Sequence, residues 1–63
     1  MKDFKSRLIK EEQKLAEKHE KLRVFVLSEK FDEIDDKHRV LLSLQHDAMS
    51  MYLKCLQARL ELL

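Results

Sequence analysis

At 63 residues with a formal net charge of +1, the chain is one small domain at most, near the lower limit for burying a core unaided. It contains no Gly and no Pro, which excludes the glycine-cradled phosphate sites of Rossmann and P-loop proteins and the tight turns of all-β folds. Charged residues at 40% and aromatics at 6% match long helices rather than a sandwich or barrel.

The first segment reads as a helix over about residues 2–27. Leu8, Leu15 and Leu22 recur every seven residues, and Phe4, Phe25 and Val26 extend the same seam at its two ends. Glu11, Glu12, Lys18 and His19 lie on or beside it, so the apolar stripe is narrow and suits one partner helix. The connection, about residues 28–35, interrupts the repeat. From Ser28 to Asp36 it carries five acids against one lysine. Ser28 is placed to cap a short helical turn there, and Asp35 to cap the next helix, with Asp36 in the first turn where the dipole favours negative charge. Phe31 and Ile34 are expected to fold back over the closed end.

A second helix is expected over about residues 36–62. Ser43, Asp47, Ser50, Lys54, Gln57 and Glu61 form one polar face. Val40, Leu44, Ala48, Met51, Cys55, Ala58 and Leu62 form an apolar stripe along one side of it, and Leu42, Met49, Leu53, Leu56, Leu60 and Leu63 a stripe along the other. Leu41, Gln45, Tyr52 and Arg59 lie between the two. On an ideal wheel this apolar arc spans roughly 220°, about twice what a single surface helix needs. The short connection makes the fold all-α: an antiparallel two-helix hairpin in a single domain. Helix two carries more apolar surface than helix one can cover, and a large apolar patch marks an interaction surface. A homo-oligomer follows, most simply a dimer of hairpins forming a four-helix bundle; the mixed heptad positions leave trimers or hexamers lined by helix two open as well. The residues expected at that interface are Leu42, Gln45, Met49, Tyr52, Leu53, Leu56, Arg59 and Leu60, the polar members setting register.

Catalysis finds no support. Glu11 and Glu12 are adjacent on a helix and so diverge by about 100°. No Ser, Cys or Lys has a base at a local spacing that would activate it. His19, His38, His46 and Cys55 follow no zinc spacing, and a lone cysteine in an apolar stripe reads as a small packed thiol. No cofactor is implied, and the chain is expected to be non-enzymatic. No apolar run approaches a membrane span. Basic residues are interrupted by acids throughout, which argues against nucleic-acid binding. His38, Gln45, Tyr52 and Arg59 recur every seven residues, so His38, Tyr52 and Arg59 are candidate ligand-facing groups offering charge and a stacking ring.

Arg7-Leu8, Leu15, Lys21-Leu22, Phe25, Ser28-x-x-Phe31, Leu41-Leu42, Gln45, Met49, Tyr52, Arg59 and Leu62-Leu63 together resemble the crAssphage-related family of small helical proteins from tailed phages and prophages. His38 stands where that pattern leads one to expect glutamine. The resemblance implies a phage accessory protein in the cytoplasm of a bacterial host. Three functions are compatible with it: a self-associating protein-interaction module; an oligomeric sponge that sequesters a nucleotide or cyclic-nucleotide signal of host defence; and an inhibitor that grips one host protein through an exposed apolar stripe.

Overall fold

A computed structural model describes the backbone of residues 2–63 and the side chains of residues 3–63. Helix α1 runs Lys2–Val26, a 3₁₀ segment covers Glu29–Glu33, and helix α2 runs Asp36–Glu61. The two long helices pack antiparallel in a rod of 46 × 14 × 13 Å. No strand occurs among the described residues.

The reversal is made without any residue at positive φ. Lacking a glycine to terminate α1 in the left-handed region, the chain tightens into i→i+3 geometry instead. Ser28 N–H donates to the Phe25 carbonyl at 3.0 Å, and the Ser28 hydroxyl donates to the same oxygen at 2.6 Å. The hydroxyl therefore closes the end of α1 rather than capping the 3₁₀ segment it precedes. Asp35 occupies the N-cap of α2 in extended geometry, but its carboxylate makes no capping hydrogen bond. Asp36, in the first turn, pairs with Arg39. Phe31 does fold back, edge-on to Phe25 with ring centroids 6.2 Å apart, and Ile34 is half-buried beside it.

The seam is built from two facing heptads. Leu8, Leu15 and Leu56 form the buried cluster, with Leu56 only 1% exposed, and Met49, Leu53 and Leu60 pack against it. Leu22 and Leu42 are half-buried nearer the turn. Five of the residues expected to join copies of the chain, namely Leu42, Met49, Leu53, Leu56 and Leu60, are thus engaged within the hairpin. Phe25 and Val26 are half-buried, but Val40 and Leu41 opposite them on α2 remain exposed.

Midway along the seam two imidazoles replace a leucine layer. His19 and His46 stack with ring centroids 4.4 Å apart and 27° between planes. Both Nε2 atoms are buried without a hydrogen-bond partner. Nδ1 of His46 lies 3.5 Å from Asp47.

Two substitutions test this seam. A carboxylate at Leu56 would sit unpaired in the closest-packed spot of the hairpin, so Leu56→Asp is expected to abolish the helical circular dichroism signal at room temperature. Replacing both imidazoles, His19→Leu with His46→Leu, removes two unsatisfied nitrogens that cost about 1–3 kcal/mol each. The double variant should melt higher than the native chain, and a lower melting temperature would show that the stacked pair holds the helices together.

Candidate functional site

At the open end of the hairpin, away from the turn, the first two turns of α1 lie beside the last two of α2. Antiparallel pairing sets Phe4 level with Arg59 and Glu11 level with Tyr52. The Arg59 guanidinium carbon stands 5.9 Å from the centroid of the Phe4 ring, a cation–π arrangement. The Tyr52 hydroxyl donates to the Glu11 carboxylate across the hairpin. Arg7 Nε donates to the Asp3 carbonyl at 3.3 Å, one turn back on its own helix. Phe4, Arg7, Leu8, Glu11 and Arg59 line an open groove of about 260 Å³. Of these Leu8 alone is buried; the others are exposed and bring two arginines, one glutamate and an aromatic ring to the groove.

The carboxylate of Glu11 gives this groove its polarity. Its hydrogen bond from Tyr52 is the main reason that the phenol is held above the usual tyrosine range; desolvation and the Glu11 charge act in the same direction, and the Arg59 charge opposes them. On the opposite flank Gln57 Nε2 donates to Glu12 at 3.4 Å, so each of the adjacent acids is engaged on its own side of α2.

A second and larger groove, about 470 Å³, lies at the turn end between Phe31, Asp36, Arg39, Val40, Ser43 and Leu44. Its lining is mainly apolar, and its one cation, Arg39, is paired with Asp36. His38 is beside it in the chain and lies 3.8 Å from Asp35 through Nδ1. The three groups expected to face a ligand are therefore not gathered in one place. Tyr52 and Arg59 lie toward the open end, whereas His38 is at the turn, two heptads from Tyr52 and three from Arg59.

Phe4 and Arg7 were not among the expected ligand-facing groups. They sit in the first turns of α1, and antiparallel pairing alone would have placed Phe4 opposite Arg59. Among the described residues, no group of three or more His, Cys, Asp or Glu side chains is placed to hold a metal ion. No helix among them is long and apolar enough to cross a membrane.

These features define a small all-α hairpin protein with a cationic, aromatic groove at one end and an exposed apolar face along α2. A family model named Sequestin matches residues 2–62, and the chain belongs to the Sequestin family. That match takes in every residue of the crAssphage-related pattern except Leu63, and it carries nothing on phage origin or on a crAssphage relation. No curated protein and no solved structure matches the chain.

The Tyr52–Glu11 bond can be read directly, because Tyr52 is the only tyrosine and there is no tryptophan. The neutral phenol is the donor, so the folded state holds this proton more firmly than the unfolded one. Its stabilising contribution is complete below the ordinary tyrosine value of 10.0 and is lost as pH rises through the higher folded value. Ultraviolet titration of phenolate formation should show a midpoint above that of the denatured chain. Glu11→Gln should bring the midpoint back down, and an unchanged midpoint in the variant would remove Glu11 as the cause.

Proposed function

We propose that the chain is a non-enzymatic sequestering protein that binds a small anionic ligand of the nucleotide class and withholds it from other proteins. The observation that carries this reading is the open-end groove. Arg7 and Arg59 supply guanidiniums suited to bidentate phosphate recognition, and Phe4 supplies a face on which a base can stack. The family name, Sequestin, agrees with binding without turnover. A nucleotide or cyclic-nucleotide signal of host defence, met in the bacterial cytoplasm by a phage or prophage protein, is the ligand that fits both the groove and the crAssphage-related pattern.

Glu11 shapes which anions can enter. A phosphate near the guanidiniums also approaches this carboxylate, and the Tyr52 hydroxyl holds the carboxylate toward α2. The groove of a single hairpin, about 260 Å³ and open to solvent, falls just below the roughly 300–1,000 Å³ of small-molecule sites. A second reading, a protein-interaction module, is supported by the exposed apolar side chains along α2, among them Leu41, Leu44 and Met51.

Thermal melting against a panel of mononucleotides, linear dinucleotides and cyclic dinucleotides tests the ligand reading. A ligand at a hundred times its dissociation constant stabilises a folded protein by about 2.7 kcal/mol, a shift of several degrees for a domain of this size. At least one member of the panel should produce it. Arg59→Ala should weaken that ligand by about 10–100-fold, the value of a charged hydrogen bond, and Glu11→Gln should tighten it. A panel with no stabilising member, or an Arg59→Ala variant that binds as well as the native chain, would reject nucleotide sequestration.

A further inference from the structure

Helix α2 carries two heptads, and the hairpin uses one of them. The first, Leu42, His46, Met49, Leu53, Leu56 and Leu60, faces α1, and each member is buried or half-buried. The second is Leu41, Leu44, Ala48, Met51, Cys55, Ala58 and Leu62, spaced 3-4-3-4-3-4, and every member is exposed. Leu41 is 62% exposed, Leu44 58% and Met51 63%, although α1 packs along the neighbouring face of the same helix. The regular spacing over the whole length of α2 makes this a helix-pairing seam.

We infer that this second heptad is the seam for another copy of the same chain, packed antiparallel with α2 against α2. Three features of the helix favour that occupant. In the fully overlapped antiparallel register, Leu41 opposes Ala58 of the second copy, Leu44 opposes Cys55, and Ala48 opposes Met51. Each of these layers sets a large side chain against a small one, with only the terminal Leu62 left beyond them opposite Lys37, so the layers are of even thickness and two straight helices can approach closely. A parallel pair would instead stack Leu44 on Leu44, Met51 on Met51 and Ala48 on Ala48, alternating wide layers with narrow ones.

Charge selects the same arrangement. Asp47 and Lys54 flank the seam on one side, seven residues apart and both exposed. The fully overlapped antiparallel register brings Asp47 of each copy beside Lys54 of the other, forming two equivalent ion pairs by symmetry. Sliding one copy by a heptad in either direction brings Asp47 against Asp47 or Lys54 against Lys54. A parallel pair sets Lys54 against Arg59. On the other flank of the favoured register Gln45 meets Tyr52 and His38 meets Arg59, joining the four residues of the seven-residue polar series across the dimer axis. This inference does not rest on the ligand reading, since it uses neither Phe4 nor Arg7.

Crosslinking and charge reversal test the register, with circular dichroism confirming that each variant keeps its helices. Native protein should scatter light as a dimer, twice the 7.6 kDa of one chain. Its Cys55 thiols should not join under mild oxidation, because in this register they lie about 16 Å apart along the axis. Leu44→Cys places a thiol opposite Cys55 and should give a covalent dimer, which Cys55→Ser in the same background should abolish. Asp47→Lys should raise the dimer dissociation constant by on the order of ten-fold, and adding Lys54→Asp should restore it. A monomer at all concentrations, native chains that join through Cys55, a Leu44→Cys variant that does not join, or a charge swap that fails to restore association would each overturn the proposal.

Discussion

The seam between α1 and α2 governs the rest of this molecule because it is so narrow. Helical wheels allow two helices to bury one stripe each, and here that stripe reduces to Leu8, Leu15 and Leu56 as buried side chains, with half-buried neighbours around them. The polar layer of His19 and His46 interrupts even this stripe at its middle. A two-helix unit of this length has little to set against the chain entropy of ordering it, on the order of 1.5 kcal/mol per residue. The apolar surface left outside the seam is therefore as large a factor in the energetics as the surface inside it.

The way the chain turns fixes what each end of the rod can do. Closure by Ser28 on the Phe25 carbonyl, followed by the 3₁₀ segment, reverses the chain with no left-handed residue. The acids of the connection collect at that end, where Asp36 takes up Arg39. At the other end lie two guanidiniums with no carboxylate partner among the described residues: Arg59 rests over Phe4, and Arg7, bonded to the Asp3 carbonyl, lines the same groove. An anion meets a repulsive turn end and an attractive open end, so the hairpin is polar along its axis as well as across its faces.

Much of this was legible in the sequence. The seven-residue spacing of Leu8, Leu15 and Leu22 and the absence of Gly and Pro dictate an all-α hairpin, and Phe31 closes the turn because it is the one aromatic in a segment otherwise rich in acids. What periodicity alone left open was the allocation of the two stripes of α2. Both are apolar and both have a seven-residue repeat, and the side of α2 that faces α1 is decided by the reversal geometry, which depends on how Ser28 ends α1. The stripe of Leu42, Met49, Leu53, Leu56 and Leu60, expected to make copy-to-copy contact, is turned by that geometry onto α1 instead. His19 and His46 occupy seam positions in the heptads of Leu15 and Met49, and aligning those heptads antiparallel would have brought the imidazoles face to face. Stacking across a seam leaves no local spacing along either helix, so the pair has no signature within one segment. Arg59 was visible as a candidate from its place in the polar series, whereas Phe4 and Arg7 required the pairing of chain ends.

The polar series of His38, Gln45, Tyr52 and Arg59 lies on the arc of α2 between its two heptads, and this position gives it a double role. Its inner edge touches the intrachain seam, as Tyr52 does through Glu11 and Arg59 through Phe4. Its outer edge borders the heptad proposed to pair with a second copy. Any ligand held by Arg59 and the Phe4 ring would then sit at the rim of the dimer, within reach of His38 from the other copy. Binding and assembly on such a shared edge are linked thermodynamically: a ligand touching both copies strengthens their association by the same factor by which association strengthens its binding. Two symmetric grooves per dimer would follow, each completed by the partner hairpin. A chain with so narrow a seam of its own would in this way draw both its stability and the second wall of its binding site from one surface.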